Sequence, residues 1–173
     1  MTITIREGGP DDLPAILRML DSGVEWLVAQ GRTRQWGTEP VSGSKTARAV
    51  ERAVAEGTTY IAEIDGEPAA TLVLADGPGA HLAQLPAPGE PERYIRWLAS
   101  DRRFKGRGAG GALLAHAAEE TRRAGVGLLR VDCYAGDDRK LVAYYEANGF
   151  TPTHAYAHGP DAWPGQVLAR RVG

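Results

Sequence analysis

The residues best suited to chemistry form a glycine-rich turn, KGRGAGG, which runs from Lys105 to Gly111. It lies between a predicted strand, YIRWLAS, and a predicted helix whose apolar side begins with Leu113 and Leu114. Glycine has no Cβ, so the backbone can approach a ligand closely here. The first N–H groups of a helix lack partners and, together with the helix dipole, attract anions. The turn therefore predicts a phosphate or pyrophosphate site, and the alternative is a turn whose glycines serve tight packing alone.

Two common phosphate motifs fit this turn less well. The chain has no Gly-Lys-Ser/Thr, which excludes a P-loop nucleotide site. Gly106, Gly108 and Gly111 match the dinucleotide pattern GxGxxG, and Asp132 follows 21 residues later, where a ribose-binding acid would stand. However, five residues separate the predicted strand from the first glycine, and Asp132 lies inside the predicted strand LLRVDCY. A nucleotide-binding oxidoreductase is therefore kept only as an alternative.

The turn resembles the motif Q/R-x-x-G-x-G/A of the GNAT superfamily of acetyl-CoA-dependent N-acetyltransferases. In phase with the Leu-Leu pair, this chain has KxxGxG from Lys105, with Lys in the first position. A second register, RxxGxG from Arg103, matches the letters better but shifts the helix phase. The segment YEANGF, which begins at Tyr145, is similar to the family's Y-E-x-x-G-F. The order of predicted elements along almost the whole chain also resembles that of the family.

The resemblance implies a set of cofactor-binding residues. Backbone N–H groups of the turn would hold the CoA pyrophosphate, and the end of YIRWLAS would pair with the pantetheine arm. The neighbouring strand LLRVDCY would be splayed from it to admit the thioester. Asp138 stands where many members carry an Asn that contacts pantetheine, and an ionised Asp can only accept hydrogen bonds. The complete set is Leu98, Ala99, Ser100, Lys105, Gly106, Arg107, Gly108, Ala109, Gly110, Gly111 and Asp138.

The resemblance also suggests catalytic residues. Tyr145 matches the family's general acid, which protonates the departing thiolate; the alternatives are that Tyr145 is a core aromatic or that Tyr144 takes the role. Many members carry a general-base Glu on the strand before the turn, but the position here is close to Arg96, which cannot act as a base. Glu92, or Asp132 acting through water, could remove the proton, and the sequence does not choose between them.

The acceptor amine is not defined by the sequence. Arg96 could orient an acidic group on the acceptor or form a surface salt bridge, and Trp36 is a candidate substrate contact. The loops 30–44 and 76–93 would shape the acceptor site, and the second is a lid, a substrate loop or a disordered segment. A peptide N-terminus, a lysine, an aminoglycoside and a small metabolite amine all remain open. A non-catalytic acyl-CoA-binding regulatory module of the same fold is the alternative function.

The elements that must position these residues form a mixed α/β pattern. We expect a single domain over residues 1–173, with a mostly antiparallel sheet, flanking helices and a splayed central strand pair. Asp65–Gly66 predicts a tight hairpin between two β-rich segments. The predicted strands are Thr2–Arg6, Thr58–Ile64, Glu67–Ala75, Tyr94–Ser100, Leu128–Tyr134, Thr151–His158 and Gln166–Arg171. The predicted helices begin near Asp11 or Asp12, Ser44, the glycine-rich turn and Asp138, and end at Gly31, Gly57, Gly125 and Gly149.

Composition limits the remaining classes of function. The 173 residues carry a net charge of −2, so bulk charge does not favour nucleic acid. A local basic cluster suits CoA better and consists of Arg102, Arg103, Lys105 and Arg107. A single cysteine, Cys133, cannot form an internal disulfide, and the four histidines lack metal-ligand spacing. We found no signal peptide and no apolar stretch long enough to span a membrane, so we expect a cytoplasmic protein without a metal. Dimers are common in the superfamily, so a homodimer is an open expectation.

Overall fold

A computed structural model describes all 173 residues of the chain. The helices are α1 (Leu13–Ala29), α2 (Lys45–Glu56), α3 (Ala109–Arg123) and α4 (Lys140–Ala147). The strands are β1 (Ile3–Glu7), β2 (Thr58–Ile64), β3 (Glu67–Ala75), β4 (Glu92–Ser100), β5 (Leu128–Tyr134), β6 (Thr151–His158) and β7 (Trp163–Arg171). The strands lie in the order β1-β2-β3-β4-β5-β7-β6; β4 and β5 are parallel, and the pairs β1–β2, β2–β3, β5–β7 and β6–β7 are antiparallel. The predicted mixed, mostly antiparallel α/β class is confirmed.

The chain divides into two units with their own internal contacts. Unit 1 consists of Met1–Ala75 and Trp97–Leu114, and unit 2 consists of Asp76–Arg96 and Ala115–Gly173. Strand β4 and helix α3 each contribute residues to both units. The expectation of one domain over the whole chain stays a prediction.

Unit 1 contains the first three strands and the first two helices. The β2–β3 hairpin turns at Asp65 and Gly66, whose φ angles are 50° and 87°, as a two-residue hairpin of this twist requires. Helix α2 begins after Ser44, whose hydroxyl accepts a hydrogen bond from the Ala47 N–H at 3.3 Å. One face each of α1, α2, β2 and β3 packs into a common core with Val41. Its buried members are Ile16, Leu20, Val24, Val41, Val50, Ala53, Val54, Ile61 and Val73.

Unit 2 is built on the start of β4 and on β5 to β7. The parallel pairing of β4 with β5 starts at Glu92 opposite Leu128 and ends at Ile95 opposite Val131. Beyond Val131, β5 continues to pair with β7 as far as Tyr134. The end of the parallel pairing is consistent with the splay that the family resemblance implies.

Several element boundaries differ from the sequence prediction. Strand β1 is Ile3–Glu7 where the sequence predicts Thr2–Arg6, and β4 starts at Glu92 where the sequence predicts Tyr94. The sequence predicts the last strand from Gln166, because Pro164 and Gly165 are typical turn residues. In the structure β7 starts at Trp163, and Pro164 and Gly165 both pair with β6. A Cβ at Gly165 would come within 2.1 Å of the Tyr156 ring, so packing explains this glycine. We also predicted a helix from Asp138, and α4 starts only at Lys140.

Candidate active site

The glycine-rich turn links the end of β4 to the start of α3 within unit 1. The Asp101 carboxylate accepts a hydrogen bond from the Arg103 N–H at 2.9 Å, which starts a short 3₁₀ helix over Arg102–Phe104. The backbone then turns through Gly106 and Gly108, whose φ angles are 77° and 85°. Residues with a side chain rarely adopt a φ angle in this range, so the backbone conformation favours glycine at both positions. A Cβ at Gly106 would meet nothing within 4 Å, which leaves the turn open to a ligand.

The first amides of α3 point to an anion site. The first helical hydrogen bond joins the Ala112 N–H to the Gly108 carbonyl at 3.0 Å. The N–H groups of Ala109, Gly110 and Gly111 therefore have no acceptor within the helix, and the helix dipole adds positive potential there. Such an amide cluster binds phosphate groups.

Two predicted cofactor amides are already used within the turn. The Lys105 N–H donates to the Arg102 carbonyl at 3.2 Å, and the Arg107 N–H donates to the Phe104 carbonyl at 3.3 Å. Their contribution to a phosphate site is therefore limited to their exposed cationic side chains. This division could not be read from the motif, which does not distinguish amides engaged in the turn from amides that face outward.

Arg102 is a residue of this region that sequence reasoning placed only in a basic cluster. Its guanidinium carbon lies 3.8 Å from the centre of the Trp26 ring, and Lys105 Nζ lies 5.6 Å from the same ring. The Nε and Nη2 atoms of Arg102 are buried without a hydrogen-bond partner. Burial lowers the pKa of Arg102 from its ordinary value. Unsatisfied donors on a desolvated cation fit a ligand rich in phosphate oxygens, such as CoA.

The predicted pantetheine strand contains an irregularity. Trp97 has a φ of 56° inside β4, a conformation that is rare for a bulky side chain. Its ring lies 5.9 Å from that of Trp36, the predicted substrate contact, with 30° between the planes. Leu98 and Ala99, which follow, are half-buried, and Ser100 is exposed. Nothing in the letters YIRWLAS indicated the irregularity at Trp97.

Asp132, one of the two candidate bases, lies in a network of hydrogen bonds within unit 2. It accepts hydrogen bonds from Tyr94 at 2.8 Å and from Tyr156 at 2.7 Å, and its Oδ2 lies 3.0 Å from His81 Nε2. Burial raises the pKa of Asp132, but the bonds from His81 and Tyr156 outweigh burial and hold the pKa below its usual value. Burial, together with the Asp132 charge, raises the pKa of both tyrosines, so both are protonated donors.

Glu92, the other candidate base, lies at the opposite end of the β4–β5 pairing. Its two oxygens accept hydrogen bonds from Nε and Nη2 of Arg130 at 2.7 and 2.8 Å. Both side chains are buried, at 9% and 7% exposure. The hydrogen bonds that Arg130 donates to Glu92 raise the pKa of Arg130, although burial opposes this. With both oxygens engaged, Glu92 is arranged to hold the two strands together.

Tyr145, the predicted acid, lies in α4 with its side chain buried. Its ring packs edge-on against Tyr144 and Phe150, at centroid distances of 5.5 and 5.9 Å. Burial raises the pKa of Tyr145 well above its ordinary value, and the nearby Cys133 adds to this. The phenol is thus in the protonated form that a proton donor needs. Tyr144, the neighbouring alternative, is 38% exposed.

Two further predicted site residues, Asp138 and Arg96, differ in their exposure. Asp138 is exposed and has a φ of 63°, in a 3₁₀ turn that precedes α4. Arg96 is half-buried in β4, and its Nη2 lies 3.6 Å from the point where a Cβ on Gly79 would stand. Burial raises the pKa of Cys133 to about 12, so its thiol is protonated. No group of three or more metal-ligating side chains is present, and no helix is long and apolar enough to cross a membrane.

Comparison with known proteins shows the class and the family of this protein. The model of the acetyltransferase (GNAT) family matches residues 22–150, so the chain belongs to this family. The expected enzyme class and the use of acetyl-CoA as co-substrate are thereby confirmed. A search of curated proteins finds no significant match.

Solved structures share the fold at low sequence identity. Ard1 from Thermoplasma volcanium is 18% identical with a TM-score of 0.72, over 100% of this chain and 99% of that one. The ribosomal-protein-S18-alanine N-acetyltransferase from Escherichia coli is 18% identical with a TM-score of 0.68, over 99% and 95%. The yncA protein from Salmonella typhimurium, solved with its cofactor acetyl-CoA, is 16% identical with a TM-score of 0.67, over 100% and 95%. At these identities the likeness shows the fold alone.

Proposed function

We propose that this protein transfers the acetyl group of acetyl-CoA directly to a primary amine in a ternary complex, with no covalent enzyme intermediate. The observation that carries the proposal is the opening of α3, where free amides follow Gly106 and Gly108 and lie close in sequence to the unsatisfied donors of Arg102. The raised pKa of Cys133 argues against a thiolate nucleophile. A cytoplasmic location and a small-molecule or peptide acceptor belong to the same proposal.

The cofactor would be held mainly by the backbone. The amides of Gly106, Gly108, Ala109 and Gly110, with that of Gly111, would bind the pyrophosphate, because none of them donates within the turn. The side chains of Lys105 and Arg107 would add positive charge, and Leu98 to Ser100 would pair with the pantetheine arm. When bound, acetyl-CoA supplies the acetyl group as an activated thioester.

Acetyl transfer also requires two proton movements. Tyr145 would donate a proton to the departing sulfur, as its raised pKa keeps the phenol protonated. Asp132 is favoured over Glu92 on the side of proton removal, since Asp132 contacts a histidine, whereas both oxygens of Glu92 accept from an arginine. Arg96 would face an acidic group on the acceptor, and Trp36, stacked on Trp97, would form an aromatic wall.

Calorimetric titration of acetyl-CoA, with NADH as control, tests the cofactor assignment. We expect one-site micromolar binding of acetyl-CoA and no heat from NADH. Thiol release would then be followed with a panel of amines comprising the common amino acids, short peptides and diamines. Binding of acetyl-CoA without release of the CoA thiol in the presence of any amine would support a non-catalytic acyl-CoA-binding module. Binding of NADH alone would support the dinucleotide alternative.

A further inference from the structure

His81 belongs to a short helix within the loop that precedes β4. It lies in the 3₁₀ helix Ala80–Leu82, and Leu82 is buried against Tyr94 and Val167. The His81 side chain is 37% exposed, whereas that of Asp132 is 14% exposed. The imidazole is thus partly exposed, while its Nε2 contacts Asp132.

The contact with Asp132 determines the tautomer of His81. An ionised carboxylate can only accept a hydrogen bond, and the pKa of Asp132 lies below its usual value. The nitrogen that faces Asp132 is Nε2, at 3.0 Å, so this nitrogen carries the proton. In the neutral imidazole the lone pair is then on Nδ1. A histidine oriented by a carboxylate is the arrangement that catalytic general bases use.

Gly79 lies beside Nδ1 of His81 and leaves free the space that a side chain would fill. A Cβ on Gly79 would lie 3.0 Å from Nδ1 and 3.2 Å from Cε1 of His81, closer than most real contacts. The guanidinium of Arg96 approaches the same point, so a cation lies on the Nδ1 side of the ring. The other ionisable groups that face the imidazole are Asp132 and Tyr94 behind Nε2, and Tyr156 and His158 from β6, with ring centroids 6.1 and 5.9 Å away.

The pair formed by His81 and Asp132 also lies close to where we expect the acetyl transfer to take place. Asp132 is the first residue of β5 after Val131, the last position paired with β4. The family resemblance places the thioester where these two strands separate. We propose that Nδ1 of His81 is the base that removes a proton from the acceptor ammonium, with Asp132 as the positioning residue. This inference rests on the proposed function.

The proton balance of the step is simple. The ammonium gives one proton to Nδ1 of His81 and becomes a neutral amine, whose nitrogen then bonds to the thioester carbonyl carbon. The carbon–sulfur bond breaks, and the thiolate leaves with a proton from the acid group. The new amide nitrogen loses its surplus proton, which restores that acid, and the proton on His81 passes to solvent. The products are the acetylated amine, free CoA and one released proton.

The test compares His81→Gln with His154→Gln, an exposed histidine on β6 that serves as matched control. Glutamine can still donate to Asp132 but cannot take a proton. With the best amine of the panel, kcat/KM of His81→Gln should fall about 100-fold or more, as loss of a general base does. The acidic limb of the pH profile of kcat/KM should be absent in His81→Gln, while its acetyl-CoA affinity stays unchanged. His154→Gln should match the wild type.

Hydroxylamine separates proton removal from a structural role. It is largely unprotonated at neutral pH, so its acetylation needs no base, and His81→Gln should retain its rate to within about threefold. In the wild type, ¹⁵N NMR of the imidazole should show the proton on Nε2.

Several results would overturn this inference. Equal loss of activity with hydroxylamine and with the protonated amine would make His81 structural, and a proton on Nδ1 in the neutral ring would refute the tautomer argument. If His81→Gln had the kcat/KM and the pH profile of the wild type, His81 would not be the base, and the proposed function would be unaffected. Acetyl-CoA binding without acetylation by the wild type would instead refute the proposed function, and the base assignment with it.

Discussion

Replacing Gly108 with Asp or with Asn isolates the charge of the proposed pyrophosphate site. The two side chains have almost the same size, and both tolerate a positive φ better than other residues do. Gly108 has a φ of 85°, and a Cβ there would meet only Ile3 Cδ1 at 4.0 Å. Both variants should therefore fold alike, with equal thermal midpoints, and differ by one negative charge.

The expected effect follows from Coulomb's law. Two unit charges about 4 Å apart interact by roughly 1 kcal/mol in water and about 4 kcal/mol at an effective dielectric constant near 20. The turn is exposed, so a penalty of about 1–3 kcal/mol is reasonable, which corresponds to roughly 5- to 150-fold weaker binding. Acetyl-CoA titration at low salt should show this loss for Gly108→Asp relative to Gly108→Asn.

Salt and ligand charge provide the controls. Raising the ionic strength towards about 1 M shortens the screening length to about 3 Å, so the difference in acetyl-CoA affinity between the Asp and Asn variants should become smaller. Acetylated pantetheine, which lacks the pyrophosphate, should not distinguish them. Equal acetyl-CoA affinity of the Asp and Asn variants at low salt would refute the assignment of the pyrophosphate to this turn.

Three further predictions concern unit 2. Tyr145→Phe should lower kcat at least about tenfold with acetyl-CoA affinity unchanged, and an unchanged kcat would leave Tyr145 as a packing residue only. Glu92→Gln should lower the free energy of unfolding in urea by about 3 kcal/mol, since Arg130 loses its buried counter-ion, whereas Glu90→Gln at the surface should cost under about 1 kcal/mol. The depressed pKa of Asp132 contributes stability that is present above its unfolded pKa, near 3.8, and is lost as pH falls through the folded pKa. In urea unfolding at a series of pH values, Asp132→Asn should therefore reduce the fall in the free energy of unfolding at acid pH. The same fall in the variant as in the wild type would contradict this prediction.

Local signals were sufficient to predict the backbone of the glycine-rich turn and of the first hairpin. The glycines at 106 and 108, the following Leu-Leu pair and the Asp65–Gly66 hairpin each determine backbone conformation within a few residues, and the structure has each element in the predicted order. The start of β7 was missed because Gly165 looks like a turn residue. Its actual cause is the Tyr156 ring, which is distant in sequence.

The residues proposed for proton removal could not have been found in this way. His81 precedes its partner Asp132 by 51 positions, in a segment without hydrophobic periodicity, so no spacing rule connects them. The sequence alone does not distinguish Glu92 from Asp132 as a candidate base. Only the register separates them, because it places Glu92 opposite the start of β5 beside Arg130 and leaves Asp132 just beyond the last parallel pair. The pairing of strands across the sheet therefore decides which carboxylate is structural and which can orient a base. A motif along the chain contains no information about this pairing.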